Sequence, residues 1–419
     1  VTRQKRITFV ELFFYPEVAS TGQYFTDLAV HFAQQGCEVE VYTNRAEYLR
    51  ENQKLPKREV YRGVTIHRLP AFGFSKDKKK GRIVEAMAFT ALAFCALFFR
   101  RRHGFLFIGT NPPFLPIIGY FLKVLRRWPY VVLLYDLHPQ MSARLGWMSE
   151  DSFFYKLWVR LNARTYRSAD ALVPIGRCMQ RFMKETYFSK PKGKQKSDLP
   201  PMEIIHNWED GERIKPLPRE ENPFVGEHAF GDRFVVLYSG SIGLHHELEC
   251  IIEAAEKLRD QREILFVFIG EGARKDKLQE MVRSKGLQNC LFLPYQPLDN
   301  LRYSLTSGDL YVITQERGLE GLIVSCKIYS ALASGTEVLG LVHPDTEVAA
   351  IIRESDAGVV LDHSDVDGIV RAIRISADNR EQNARKGAAG RLYFKEHFEK
   401  KISMKAYEDL LGRVFWSEK

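Results

Sequence analysis

The stretch Phe234-Val235-Val236-Leu237-Tyr238-Ser239-Gly240-Ser241-Ile242-Gly243-Leu244-His245-His246 joins a short apolar run to a turn rich in glycine and serine. A helical pattern, Glu247 to Asp260, follows at once. An apolar run, a glycine turn and a helix in that order open a βα unit of a parallel sheet. The glycines let backbone N–H groups and the helix N-terminus approach an anion closely. Gly240, Ser241 and His246 are therefore candidates for holding a diphosphate, with a histidine as hydrogen-bond donor. Adjacent histidines point in different directions, so one of the two faces the ligand.

The unit repeats along the second half of the chain. Apolar runs at Leu265 to Ile269, Leu291 to Pro294, Leu310 to Ile313, Glu337 to Leu341 and Gly358 to Leu361 alternate with helical patterns at Arg274 to Lys285 and Ser325 to Ala333. The first half shows the same alternation. Runs at Ile7 to Phe14, Glu38 to Thr43, Val64 to Leu69, Phe105 to Ile108, Tyr130 to Tyr135 and Ala171 to Ile175 are separated by segments such as Gly22 to Gln35 and Phe153 to Arg167. The fold class is α/β, two Rossmann-like domains in series. The join is expected near Asn207 to Pro218, giving domains at 1–212 and 213–395 and a C-terminal helix at 396–419.

Composition agrees with a folded chain of that size. At 419 residues, 45% hydrophobic and 27% charged, it suits two α/β domains and excludes disorder and a multi-span membrane protein. Cys37, Cys95, Cys178, Cys250, Cys290 and Cys326 stand singly, without metal-ligand spacing, and read as reduced cysteines of a cytosolic protein. The apolar run after Arg6 ends in Tyr15-Pro16-Glu17 rather than a small-residue cleavage site, so it reads as a first strand and not a signal peptide. The net charge of +9 carries basic clusters at Lys76 to Lys80 with Arg82, Arg100 to His103, Lys123 with Arg126 and Arg127, and Lys190 to Lys196. They suit nucleic acid, an anionic membrane or a polyphosphate, or form a solvated face. Nucleic acid is disfavoured, because stacking aromatics do not interleave with the basic residues. Gly193 and its lysines read as a mobile surface loop.

The nearly all-apolar segment Ala86 to Phe99 holds 14 residues, short of the roughly 20 a spanning helix needs. It is either an interfacial helix or ordinary core. The expected location is the cytoplasm, with peripheral docking on the inner face of the cytoplasmic membrane as one alternative.

Four further segments carry polar chemistry at strand ends. Gly22 follows Tyr15-Pro16-Glu17 just ahead of the first helix, where its N–H could meet an anion. Gly270, Glu271 and Gly272 form a second elbow in the later half and mark that half as the nucleotide side. Gln315 to Lys327 brings Glu320, Ser325, Cys326 and Lys327 to the start of a helix that closes at Gly335. There carboxylates can take sugar hydroxyls, and a lysine with helix N–H groups can take phosphate. Asp136 emerges after Tyr130 to Tyr135, either to meet a sugar or to cap a turn.

These segments together resemble the family 4 retaining glycosyltransferases of the GT-B fold, in the branch that builds bacterial surface polysaccharides. The likeness rests on Tyr15-Pro16-Glu17 with Gly22, Asp136-Leu137-His138-Pro139, Ile205-His206-Asn207-Trp208, Leu237 to Gly243, Gly270-Glu271-Gly272 and Ala333-Ser334-Gly335. The resemblance implies two domains facing across a cleft, with the nucleotide sugar on the second and the acceptor on the first. It further implies that the C-terminal helix crosses back to the first domain and that no metal or other cofactor is needed. The implied partners are a nucleotide-sugar donor and a saccharide or lipid-linked acceptor.

The chain departs from the family at four places, one being Tyr135, which stands where the family often has a histidine just before the Asp136 position. The family's glutamate pair would fall at Leu322 and Ser330, and neither is acidic. The Pro-Ser-Lys motif of the polysaccharide branch reads Ser325-Cys326-Lys327, and the usual basic motif after Gly240 is missing. Asp136, Glu320 and Lys327 are accordingly the catalytic candidates. Gly22, Gly240, Ser241, His246, Gly270, Glu271, Gly272, Ser325, Cys326 and Ser330 are the donor-binding ones. A nucleotide-sugar epimerase of the same fold and a non-catalytic partner lacking the glutamates are the alternatives.

Overall fold

A computed structural model describes residues 5–17, 20–45, 55–71, 79–102, 104–189, 199–243 and 246–416. Lys190 to Lys196 with Gly193, Lys76 to Lys78, His103 and His245 lie outside the described residues, as do the side chains of Lys79, Lys80 and Arg82.

The chain forms two compact units. The first comprises Val1–His206, Gly321–Ile323 and Met404–Lys419, and the second Asn207–Glu320 and Val324–Ser403. In the first, strands β1 (Arg6–Val10), β2 (Glu38–Asn44), β3 (Arg58–Tyr61), β4 (Val64–Leu69), β5 (Phe105–Ile108), β6 (Tyr130–Leu134) and β7 (Ala171–Pro174) pair in the order β3-β4-β2-β1-β5-β6-β7. All neighbours are parallel except β3 and β4. The second holds β8 (Phe234–Ser239), β9 (Ile264–Ile269), β10 (Cys290–Leu293), β11 (Leu310–Thr314), β12 (Glu337–Leu341) and β13 (Gly358–Leu361), all parallel, in the order β10-β9-β8-β11-β12-β13.

Burial on both faces explains the near-continuous apolar strands. Along β8, Val235 and Leu237 join one core with the Lys327–Ser334 helix, while Phe234, Val236 and Tyr238 join another with the Glu249–Lys257 helix. The order reverses between β1 and β5 in one sheet and between β8 and β11 in the other. In open parallel sheets such reversals leave a crevice beyond the strand carboxyl ends.

Three elements differ from the expected ones. The first strand stops at Val10 rather than Phe14, because the Leu12 N–H goes to the Asn111 carbonyl and the Leu12 carbonyl accepts from Asn44. The edge strand β3 carries no apolar run and pairs only through a hairpin whose turn residues, Arg62 and Gly63, both have positive φ. The C-terminal stretch is two helices, Arg380–His397 and Lys400–Leu411, interrupted where Glu399 bridges to Glu209. Within the first unit, Phe415 stacks on Phe105 at 3.9 Å and His31 bonds Glu408 at 2.8 Å. All six cysteines are free, and only Cys95 is exposed.

Candidate active site

The second unit's site is built at the β8/β11 reversal. Backbone bonds zip the ends of β8 and β9 together: Gly240 N–H to the Ile269 carbonyl and Ile242 N–H to the Glu271 carbonyl, each at 2.8 Å. Gly270 has φ +147°, and a Cβ there would lie 1.9 Å from the Gly240 carbonyl oxygen. Any side chain would therefore force the two loops apart. Gly240 has φ +134°, and a Cβ would lie 2.6 Å from Lys327 Cε, so the bare backbone of this turn is what lets the lysine lie against it.

Lys327 opens its helix, and its Nζ lies 3.1 Å from His246 Nε2 and 5.4 Å from the centre of the Tyr238 ring. Burial pulls the Lys327 ammonium below its ordinary value. The Gly243 N–H points at His246 Nδ1 at 3.3 Å. Lys327 Nζ donates to His246 Nε2 in one tautomer of the ring, and with the ring proton on Nε2 both nitrogens can donate to an anion. The N-terminus of the Lys327–Ser334 helix adds its dipole in the same sense.

The other candidates divide. Gly272 supports the same zipped loops, since a Cβ on it would meet the Ile242 carbonyl at 2.3 Å. Ser241 is exposed, and its carbonyl accepts from the Tyr238 hydroxyl. The Glu271 side chain is paired with Lys275 at 2.6 Å. Ser325 and Cys326 lead into Lys327, with Cys326 partly buried against the core. Glu320 accepts the Gly318 N–H at 3.0 Å, and Ser330 donates to Glu209 at 2.8 Å. Gly22 and Asp136 belong to the first unit. Gly22 sits inside the first turn of the Ser20–Gln34 helix rather than ahead of it, its carbonyl accepting from Thr26 Oγ1 at 2.7 Å.

At the β1/β5 reversal of the first unit, Thr110 Oγ1 accepts the N–H groups of Tyr135 and Asp136 at 3.0 and 3.1 Å and fixes the end of β6. Burial pushes the Asp136 carboxyl up to about 6. Glu11 is fully buried and raised well above the usual carboxylate range, first by burial and then by Asp136, with the N–H groups of Leu12, Phe13 and Asn111 opposing. Leu322, where the family's first glutamate would fall, is buried in this unit, its carbonyl accepting the Leu137 N–H at 3.0 Å.

Three further polar groups were not singled out from sequence. Gln315 follows β11, is buried, and has neither end of its amide hydrogen-bonded. Glu209 stands beside a quoted motif, and Glu11 is the one acid in the apolar run Ile7 to Phe14, which was its signal.

Two family models match, Glycosyl transferase 4-like domain over residues 21–193 and Glycosyl transferases group 1 over residues 219–393. The chain is a family 4 glycosyltransferase. This glycosyltransferase is 28% identical to the probable glycosyltransferase WbjE of Pseudomonas aeruginosa over 68% of its own length and 70% of the relative's. It is 24% identical to the putative colanic acid biosynthesis glycosyl transferase WcaI of Escherichia coli K12, over 86% and 89%. Its fold is GT-B. The structure of Anabaena HepE in complex with UDP and glucose superimposes with a TM-score of 0.71 at 14% identity, over 98% of this chain and all of that one.

Proposed function

We propose that this glycosyltransferase moves a sugar, with retention of anomeric configuration, from a nucleotide sugar to a saccharide or lipid-linked acceptor in polysaccharide or glycolipid biosynthesis. The carrying observation is the Lys327–His246 pair, whose Nζ and Nε2 lie 3.1 Å apart beside the glycine loops at the β8/β11 reversal. The solved UDP complex of HepE and the colanic acid assignment of WcaI support the donor and pathway classes.

In the proposed reaction the bond from the donor's anomeric carbon to the diphosphate breaks, and the acceptor oxygen bonds to that carbon on the same face. The departing diphosphate oxygen takes the acceptor's proton. Lys327, His246 and the helix N-terminus stabilise the charge that builds on the diphosphate, and no step is routed through a metal. NMR of the freshly formed product is expected to show the donor's anomer. The opposite anomer would rule out same-face transfer and make Asp136 or Glu17 a candidate base.

The proposal includes docking of the first unit on an anionic membrane. The Lys79–Phe98 helix serves both readings of its sequence: Phe89, Ala93 and Leu97 are buried, while Val84, Met87, Cys95 and, just beyond the helix, Phe99 face outward. The neighbouring Leu115–Arg126 and Phe153–Ser168 helices add exposed Phe121, Val124, Leu125, Phe153 and Phe154. Among the described residues no helix is long and apolar enough to cross a membrane. Apolar burial at the interface and basic residues near anionic lipid act together. Arg100 is held by Glu40, so Arg101, Arg102 and Arg127, which are exposed, are the better electrostatic candidates. Sedimentation with phosphatidylglycerol-containing vesicles should weaken with salt and with Arg101→Ser plus Arg102→Ser. Equal recovery in the supernatant with neutral and anionic vesicles would refute docking.

A further inference from the structure

Asp136 sits on a short loop past the end of β6, and the polar backbone of that loop is held from three directions within the first unit. Thr110 Oγ1 accepts the N–H groups of Tyr135 and Asp136 at 3.0 and 3.1 Å, one for each of its lone pairs. The Leu322 carbonyl accepts the Leu137 N–H at 3.0 Å. The His138 carbonyl accepts from Asn162 Nδ2 at 2.6 Å. A buried backbone group left without a partner costs about as much as a lost hydrogen bond, so this set of bonds leaves the loop few other positions.

Two of the three partners are side chains, and both are buried: Thr110 is 3% exposed and Asn162 1%. Thr110 follows β5 and bonds sideways to the neighbouring strand, which ties the ends of β5 and β6 together. Asn162 reaches the loop from the Phe153–Ser168 helix, one turn beyond Trp158. Trp158 lies parallel to the His138 ring with centroids 6.2 Å apart and stacks on Phe114 at 4.2 Å. On the other edge of that ring, His138 Nδ1 lies 2.8 Å from Ser142 Oγ. The helix is also tied to the strand it serves, because the Tyr130 hydroxyl, at the start of β6, donates to the Thr165 carbonyl at 2.5 Å. Asn162 is thus a fixed post rather than a side chain that follows the loop.

We propose that Thr110 and Asn162 are positioning residues for transfer, which hold the Asp136 loop on both sides so that its carboxyl meets a sugar hydroxyl already oriented. Both act through Asp136. Turnover is sensitive to such a frame, because reacting groups displaced by about 1 Å lose roughly a hundredfold in rate. This assignment rests on the reading of Asp136 as a group that meets the sugar.

The test is a double-mutant cycle on the full chain. Turnover is read as UDP release from UDP-glucose, UDP-galactose and UDP-N-acetylglucosamine, and binding as calorimetric titration with UDP. Thr110→Val, which keeps the shape and removes the acceptor, and Asn162→Ala should each lower turnover about ten- to a hundredfold and leave UDP affinity near wild type. Thr110→Ser, which keeps the oxygen, should retain most of the turnover. In an Asp136→Asn background neither substitution should cost more than about twofold further, since residues that act through one group are not additive. Hydrogen exchange needs no substrate, and it should quicken at the Tyr135 and Asp136 amides in Thr110→Val. The two positions lie on different elements, so a variant that fails to fold leaves the other to decide. Losses that multiply fully in the double variants, or wild-type turnover in folded Thr110→Val and Asn162→Ala, would overturn the assignment while leaving Asp136 in its role. Wild-type turnover in Asp136→Asn would overturn the reading of Asp136 and the assignment with it.

Discussion

Replacing Lys327 with alanine is expected to weaken nucleoside diphosphate binding and slow turnover by about 1.5 to 3 kcal/mol each, roughly ten- to a hundredfold. The size follows from a charge-assisted contact made by an ammonium that is already partly stripped of water. Burial opposes the charge on that ammonium, a cost which the ligand's negative charge relieves and the variant lacks. Thermal unfolding without ligand should therefore show Lys327→Ala no less stable than wild type, while added UDP should stabilise it much less. Because burial lowers the lysine's pKa, wild-type affinity should also begin to fall with rising pH earlier than for an ordinary lysine. Unchanged UDP affinity in a folded Lys327→Ala protein would remove this residue from the site.

How much of this was legible in sequence depended on whether the signal was local. The α/β class was legible because strands buried on both faces must be largely apolar, and β5 and β12, buried along their whole length, fall where their apolar runs do. β3 was not, since Arg58-Glu59-Val60-Tyr61 has no core face and exists only by pairing with β4. The run Ile7 to Phe14 overstated β1, because nothing in it shows that Asn111 and Asn44 draw Leu12 away from the ladder. Among site residues, the glycine turns and Lys327 stood out because their type and position at strand ends are visible in one stretch. Glu209 did not: its meeting with Ser330 joins residues 121 positions apart, and no periodicity encodes such a contact. Gln315 was within the polar segment that ends at Lys327, yet its importance lies in a buried side-chain amide that makes no hydrogen bond, a property of the fold alone.

Asp136→Asn should stabilise the protein at neutral pH while impairing transfer. Burial holds the Asp136 carboxyl near 6, against an ordinary value of 3.8. A raised acid binds its proton more tightly in the folded state, so between about pH 4 and pH 6 folding takes up protons and stability falls as pH rises. Above about pH 6 the whole cost of the buried charge is present; below about pH 4 both states are protonated and the cost disappears. Asparagine never carries it. The variant's advantage in urea unfolding should therefore be close to zero near pH 4, open through the window, and reach about 1 to 3 kcal/mol at pH 7.5, the upper figure being reduced by whatever solvent reaches the group. Glu11 adds to the effect in the same direction, because removing the Asp136 charge eases the neighbouring buried carboxyl. The functional consequence should be selective. Asp136 belongs to the first unit and the Lys327–His246 cluster to the second, so turnover should drop while UDP affinity stays near wild type. A stability gap independent of pH, or a variant less stable at pH 7.5 than wild type, would show that Asp136 is paired in the folded protein and not a desolvated acid awaiting a sugar hydroxyl.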